Sequence, residues 1–130
     1  MQLMRILVIE DDAFLRKAYE VSLLMHGFNV SLATDGVIGL RMAEEIHPDV
    51  ILLDVLLPTL TGVEVLQRLK QHPALSSIPV IVFSIACDPE DARATLALGA
   101  AAYVCKADID LHELGKVLRS FASARPGKIQ

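Results

Sequence analysis

Short apolar runs alternate along this chain with longer segments whose apolar residues have helical spacing. Five such runs predict five strands: Ile6–Ile9, Val30–Ala33, Val50–Leu53, Val80–Phe83 and Ala102–Cys105. The first, third and fourth runs are apolar throughout, which is typical of central strands that helices cover on both faces. Strands that alternate with helices predict βαβ units and a parallel sheet.

The predicted helices begin and end at recognisable residues. The first extends from about Ala13 to His26, because Gly27 is a typical residue after a helix end. Thr61 and Glu64 have the spacing of a capping box at the start of the third helix. The other three helices begin near residues 35, 88 and 110, each an aspartate. Right-handed crossovers leave only a few doubly wound α/β sheets for such a chain.

The composition is that of one folded domain. The chain has 130 residues, of which 53% are hydrophobic and 22% charged. A net charge of −4, with scattered Lys and Arg, argues against direct nucleic-acid binding. We find no membrane-length apolar run and no signal-peptide pattern, so we expect a cytoplasmic location without membrane contact. We interpret residues 1–123 as the domain and 124–130 as a tail or the start of a linker.

Cysteine and histidine usage gives no sign of a disulfide framework or a metal centre. A secreted domain of this size usually has more than two cysteines, so we expect Cys87 and Cys105 to be reduced thiols. The four histidines lie far apart without metal-ligand spacing. We expect each at the surface or at a helix end: His26, His47, His72 and His112.

Polar or charged residues follow the ends of four of the five predicted strands. They are Glu10 and Asp11 after the first, Asp54 after the third, Ser84 after the fourth and Lys106 after the fifth. Strand ends are often polar because they reach water, and this explains any one of them. It explains poorly why Asp54 interrupts an apolar run that continues through Val55–Leu57. Ligands of open α/β sheets bind outside these strand ends.

If these ends converge, three carboxylates share one pocket, and like charges at close range oppose joint ionisation. Mg²⁺ would relieve that repulsion, because it takes carboxylate oxygens, keeps several waters and accepts phosphate oxygens. Lys106 can neutralise a phosphoryl oxygen, and Ser84 offers a hydroxyl donor. A carboxylate nucleophile beside Mg²⁺ and Lys is suited to forming an aspartyl phosphate at Asp54.

Four stretches carry a resemblance to a known family: Arg5–Asp12, Pro48–Pro58, Pro79–Ser84 and Gly99–Lys106. In this order and spacing, from about Met4 to Phe121, the chain resembles the response-regulator receiver domain of two-component signalling. The resemblance implies a flavodoxin-like, three-layer α/β/α fold. Its five-stranded parallel sheet would have the order 2-1-3-4-5.

The resemblance also implies residue roles. Asp54 would be the phosphoacceptor, and Mg²⁺, with Mn²⁺ as an alternative, would be the cofactor. The metal would be bound by Asp11, Asp54, the backbone carbonyl of Leu56 and, mainly through water, Glu10. Ser84 and Lys106 would bind the phosphoryl group. Tyr103 matches the switch aromatic, with a packed strand aromatic as an equal alternative, and Gly62 matches a turn residue after the acceptor.

The implied function is a signalling switch, not an enzyme beyond its own phosphorylation and dephosphorylation. The phosphoryl donor would be a phosphohistidine on a sensor histidine kinase or a phosphotransfer protein. Phosphorylation would change the face formed by the fourth helix, fifth strand and fifth helix, which would regulate an output partner or domain and could support a homodimer. The fourth helix is poor in charge, and we expect its small residues to pack mainly on the sheet.

Two departures from the family pattern leave an alternative open. Ala107 replaces the usual proline after Lys106, so we expect a trans bond or a changed loop there. Ile85 replaces a small residue after Ser84, and we expect it to slow phosphotransfer. Both would fit a pseudo-receiver that only binds proteins, although the complete acidic, Ser and Lys set argues against it. A flavodoxin or an aspartyl-phosphate phosphatase would need a different loop at residues 10–12.

Overall fold

The computed structural model describes residues 3–123, in which five strands and five helices alternate strictly. The strands are β1 (Arg5–Ile9), β2 (Asn29–Ala33), β3 (Val50–Leu53), β4 (Val80–Ser84) and β5 (Ala102–Cys105). The helices are α1 (Ala13–Met25), α2 (Gly36–Ile46), α3 (Gly62–Gln71), α4 (Pro89–Ala97) and α5 (Leu111–Ser123). Each predicted element is therefore present within one or two residues of its expected bounds.

The strands form one parallel sheet in the order β2-β1-β3-β4-β5. The predicted doubly wound fold and its strand order are confirmed. Ile9 at the end of β1 pairs with Leu53 at the end of β3, and Ser84 pairs with Cys105 across β4 and β5. Because all strands are parallel, the residues that follow them gather at one edge of the sheet.

Two buried apolar clusters lie on opposite faces of the sheet. Leu7 and Ile9 belong to the cluster that contains residues of α2 and α3, whereas Ile6 and Val8 belong to the cluster that contains residues of α1 and α5. This division follows from the alternation of side chains along each strand. Both faces of β3 are fully covered, which explains its unbroken apolar sequence, Val50–Leu53.

Polar residues fix the helix ends much as the sequence indicates. The Thr61 and Glu64 capping box is present at α3, and Asp12 accepts a hydrogen bond from the Leu15 amide as the N-cap of α1. Three histidines are C-caps of consecutive helices, which confirms the expected helix-end positions: His26 of α1, His47 of α2 and His72 of α3.

Helix α4 packs less on the sheet than the sequence suggested. Thr95 is its one buried residue, and Leu96 is 47% exposed. The expectation that most of its small residues pack on the sheet is therefore wrong. Leu98 and Ala100, which follow the helix, join the adjacent apolar cluster instead, so the helix itself lies mostly at the surface.

The expectation of two reduced thiols is also wrong for this structure. Cys87 and Cys105 form a disulfide, with their Cα atoms 5.1 Å apart. Cys105 lies beside Ser84 in the parallel register, and Cys87, with a φ of 54°, lies in the turn just beyond Ser84. A count of cysteines cannot reveal this pairing, because it depends on the register of two strands.

Three further expectations concern a peptide bond, membrane-spanning helices and the C-terminal tail. The bond between Lys106 and Ala107 is trans, as expected for a non-proline residue. Within residues 3–123, no helix has both the length and the apolar character needed to cross a bilayer. The proposed tail, residues 124–130, lies outside the described residues.

Candidate functional site

Three carboxylates meet at the carboxyl edge of the sheet. Oxygen atoms of Glu10, Asp11 and Asp54 all lie within 4.8 Å of one another. The pairing of β1 with β3 brings them together, and the Asp54 amide donates a hydrogen bond to the carbonyl of Ile9 at 3.2 Å. Glu10 is 2% and Asp54 8% exposed, whereas Asp11 reaches solvent. The structure therefore brings together the three acidic residues that the sequence singled out.

The electrostatics of this cluster disfavour a second buried negative charge. Burial, together with the charge and hydrogen bonding of Asp54, raises the pKa of Glu10 from 4.5 to about 7, although Lys106 opposes this shift. The Asp12 amide also donates to Glu10 Oε2 at 3.2 Å. Carboxylates that resist joint ionisation in this way favour a bound cation.

Lys106 supplies the positive charge of the site. Its ammonium donates to Glu10 Oε1 at 3.3 Å, and its side chain is 11% exposed. Burial alone would lower the pKa of Lys106, but the charges of Asp54, Tyr19 and Glu10 outweigh burial and raise it. Lys106 is therefore held as a cation next to the acidic cluster.

Ser84 lies at the end of β4 and is completely buried. Its hydroxyl oxygen accepts a hydrogen bond from the Ala86 amide at 3.1 Å. Its carbonyl accepts one from the Lys106 amide at 2.9 Å. The backbone thus couples Ser84 to Lys106, while its hydroxyl is engaged by the following loop.

Tyr103 lies on the face of the sheet that α2 and α3 cover, where it packs against the apolar cluster. Its hydroxyl is buried and has no hydrogen-bond partner among the described residues. The structure therefore shows a packed strand aromatic. A buried hydroxyl without a partner destabilises this arrangement, so a ring position in which the hydroxyl finds a partner would be favoured.

The sequence did not indicate two residues that support the site. The centroid of the Tyr19 ring of α1 lies 5.7 Å from that of Phe83. The Lys106 ammonium lies 5.8 Å from the centroid of the Tyr19 ring. Arg16 donates to the carbonyls of Glu10 and Asp11 at 3.1 and 2.9 Å. No local sequence pattern could show that Tyr19 lies beside Lys106, because this depends on how α1 packs on the sheet.

The segment after the acceptor is held by backbone contacts. The Leu56 amide donates to Asp54 Oδ1 at 3.2 Å, and the Gly62 amide donates to the Val55 carbonyl at 2.9 Å. Ile85 is 66% exposed and lines a cavity of about 450 Å³ beside Lys106. Ile85 therefore lies at the surface beside Lys106.

Comparison with known proteins identifies the family. The family model for the response regulator receiver domain matches residues 6–119. This chain is a response regulator receiver domain. Receiver domains of this kind are signalling proteins of two-component systems rather than classical enzymes.

The receiver domain has relatives among transcriptional regulators. It is 36% identical over 125 residues to the transcriptional regulatory protein CseB of Streptomyces coelicolor, covering 94% of this chain and 52% of CseB. It is 34% identical over 110 residues to the DNA-binding regulator RpaA of Synechocystis, covering 85% of this chain and 45% of RpaA. The chain thus spans about half the length of these two relatives.

A solved structure resembles this receiver domain closely. The receiver domain of the sensor histidine kinase PA1611 from Pseudomonas aeruginosa has a TM-score of 0.85 and 26% identity, with 95% of this chain and 100% of that chain covered. That structure has a magnesium ion coordinated in its active-site cleft. The acidic cluster of the present receiver fits such an ion, because oxygen ligands converge here and one of them is hard to ionise without a cation.

Proposed function

We propose that this receiver domain accepts a phosphoryl group on Asp54 in a Mg²⁺-dependent reaction and acts as a phosphorylation-dependent switch. The observation that supports this most directly is the convergence of the Glu10, Asp11 and Asp54 oxygens within 4.8 Å. The Lys106 ammonium beside Glu10 completes a site for an anionic group. The donor would be a phosphohistidine of a sensor kinase or phosphotransfer protein.

The transfer step needs a carboxylate nucleophile. An oxygen of Asp54 would attack phosphorus, the bond from phosphorus to the donor imidazole would break, and the imidazole would leave with a proton from solvent. The Leu56 amide holds one Asp54 oxygen through a 3.2 Å hydrogen bond, which orients the carboxylate. Lys106 would neutralise charge on the phosphoryl oxygens, since it is already held within reach of the acidic cluster.

The same residues would hold the metal ion. Asp11, Asp54 and the backbone carbonyl of Leu56 would be the direct ligands, and Glu10 would act mainly through water. When bound, Mg²⁺ supplies the positive charge that balances these carboxylates and the incoming phosphate; Mn²⁺ is the alternative ion. Arg16 supports this role by fixing the carbonyls of Glu10 and Asp11 and hence the turn that carries both acids.

Signal output would follow from a move of Ser84 toward the phosphoryl group. Its hydroxyl would exchange the Ala86 amide for a phosphoryl oxygen, and the β4–α4 loop would follow. Tyr103, whose buried hydroxyl has no partner among the described residues, would then adjust its position. The face of α4, β5 and α5 would change, and phosphorylation would favour one of two existing states. The exposed α4 would present this change to an output partner or a second copy of the chain.

Intact mass after incubation with Mg²⁺ and acetyl phosphate tests the proposal. We expect one added phosphoryl group on the parent, none on Asp54→Asn, and none after addition of a chelator. Asp108→Asn is the matched control, because Asp108 is an exposed aspartate outside the site, and it should be labelled like the parent. Labelling of Asp54→Asn at the parental level would overturn the assignment of the acceptor.

The pseudo-receiver alternative gains no support from the site. Ile85 is 66% exposed beside Lys106, and the trans Lys106–Ala107 peptide leaves the Lys106 ammonium bonded to Glu10. Both departures from the family pattern are therefore compatible with an intact set of phosphorylation residues.

A further inference from the structure

The disulfide between Cys87 and Cys105 joins the loop that would move in the proposed switch to the end of β5. Cys105 is the last residue of β5 and directly precedes Lys106. Cys87 lies in the β4–α4 loop, three residues after Ser84. The bond therefore fastens the loop that follows Ser84 to the strand that positions Lys106.

The segment held by this bond is short and under conformational constraint. Cys87 has a φ of 54°, in the left-handed region that costs a non-glycine residue energy. Its sulfur lies 3.5 Å from the Ile85 carbonyl oxygen, against its own turn. Within the same turn, the Ala86 amide binds the Ser84 hydroxyl at 3.1 Å. The bond thus joins β5 to the turn in which the Ala86 amide holds the Ser84 hydroxyl.

The covalent loop contains a whole element of the proposed output face. The two cysteines are 18 residues apart, and α4 lies entirely between them. Cys87 is exposed and Cys105 partly exposed, so a small thiol can reach the bond. These features make the pair suitable for reversible chemistry rather than for a buried structural link.

We infer that Cys87 and Cys105 form a redox modification site that gates phosphorylation: the disulfide locks the β4–α4 loop, and its reduction releases the loop. This inference rests on the proposed function. One thiolate would attack a small-molecule disulfide of the glutathione class and form a mixed disulfide, releasing one thiol. The second cysteine would then displace the other thiol, so that two protein thiols are oxidised, one disulfide is reduced to two thiols, and the protons are exchanged with solvent.

The first measurement is whether the bond forms reversibly. We would equilibrate the protein with oxidised glutathione, or with reduced glutathione, and count free thiols by alkylation and intact mass. The inference expects no alkylation in the first case and two alkylated cysteines in the second. Two free thiols in both conditions would overturn it.

The second measurement is the rate of labelling by acetyl phosphate with Mg²⁺ in each redox state. A coupling of ordinary allosteric size predicts labelling slower by about fivefold or more in the oxidised form. The Cys87→Ser and Cys105→Ser variants are the controls, because each should be labelled at the reduced rate in both conditions. Equal rates in both states of the parent would overturn the inference.

Hydrogen exchange of the peptide around residues 84–88 separates this inference from the proposed function. Reduction should speed exchange of these amides, whether or not the protein is phosphorylated. If neither redox state is labelled, the proposed function fails; faster exchange on reduction would still support the loop lock. Unchanged exchange would overturn the lock in every case.

Discussion

Gly62 packs directly against the backbone of Asp54. A Cβ atom at Gly62 would lie 2.5 Å from the Asp54 carbonyl oxygen and 2.6 Å from the Val55 Cα, closer than such atoms can approach. The start of α3 is therefore fitted to the segment that carries the proposed phosphoacceptor. Because backbone atoms on both sides form the contact, neither can yield by rotating a side chain.

Gly62→Ala should therefore destabilise the domain by about 1–3 kcal/mol, as overpacking in a tight core does. Urea unfolding would measure the loss. Gly115→Ala is the comparison, because its new Cβ would meet the His26 ring, which is a side chain and not backbone. If Gly62→Ala is no more harmful than Gly115→Ala, the contact with the acceptor segment is less rigid than described.

Tyr103→Phe should leave the stability unchanged or raise it by about 1 kcal/mol, because it removes a buried hydroxyl that has no partner among the described residues. Thermal unfolding of the two proteins would show the direction. Tyr19→Phe is the matched control, and it should lower stability, because the hydroxyl of Tyr19 interacts with Lys106. A clear loss of stability in Tyr103→Phe would indicate a hydrogen bond that this structure does not contain.

The metal-free protein should become less stable as the pH rises from about 4.5 to about 7. Burial and Asp54 raise the pKa of Glu10 from 4.5 to about 7, so the folded state binds more protons than the unfolded state in this window. Urea midpoints measured with a chelator across this range would reveal the decline.

Glu10→Gln is the control for this pH dependence, because it removes the titrating group and should flatten that part of the profile. Mg²⁺ should also reduce the decline, since it favours the ionised carboxylates. A parental profile that is flat with chelator present would contradict the electrostatics described for the cluster.

Reduction of the disulfide should lower the free energy of unfolding by about 3 kcal/mol, because a closed loop of this length restricts the unfolded chain. Urea unfolding with and without reductant would measure the difference. Cys105→Ser should show no response to the reductant. A parent that unfolds identically in both conditions would mean that the bond contributes nothing to stability.

Ile85→Ala should speed labelling by acetyl phosphate several-fold, because Ile85 is a bulky side chain beside Lys106, which would bind the phosphoryl group. Initial rates from intact mass would give the comparison. Leu96→Ala removes an exposed side chain of similar size from α4 and should leave the rate unchanged. A rate for Ile85→Ala at or below that of the parent would exclude a steric role.

The fold was predictable because its signals are local. Apolar runs such as Val50–Leu53 reveal buried strands, and the Thr61 and Glu64 pair reveals a helix start, from neighbouring residues alone. The acidic cluster was predictable for a related reason. Once the strands are parallel, residues that follow β1 and β3 must meet at one edge, wherever they lie in the sequence.

The features that the sequence did not predict depend on strand register and on packing between elements, and no local sequence pattern contains either. The bond from Cys87 to Cys105 follows from the pairing of Ser84 with Cys105, and that pairing is fixed by the whole sheet. The place of Tyr19 beneath Lys106 depends on how α1 lies across the sheet. The surface position of α4 depends on which nearby residues pack in the core, and here Leu98 and Ala100 do so instead of the helix.

The end of β4 has a further consequence for how a signal could travel. Phe83 belongs to the apolar cluster on the α1 and α5 side of the sheet, whereas Tyr103 of the paired strand β5 belongs to the cluster on the α2 and α3 side. Ser84, the next residue after Phe83, lies at the carboxyl edge of the sheet. A displacement of the end of β4 would therefore disturb the packing on both faces of the sheet. Phosphorylation at this edge of the sheet would therefore change the packing on both faces, so that partners bound on opposite sides of the domain would respond to the same modification.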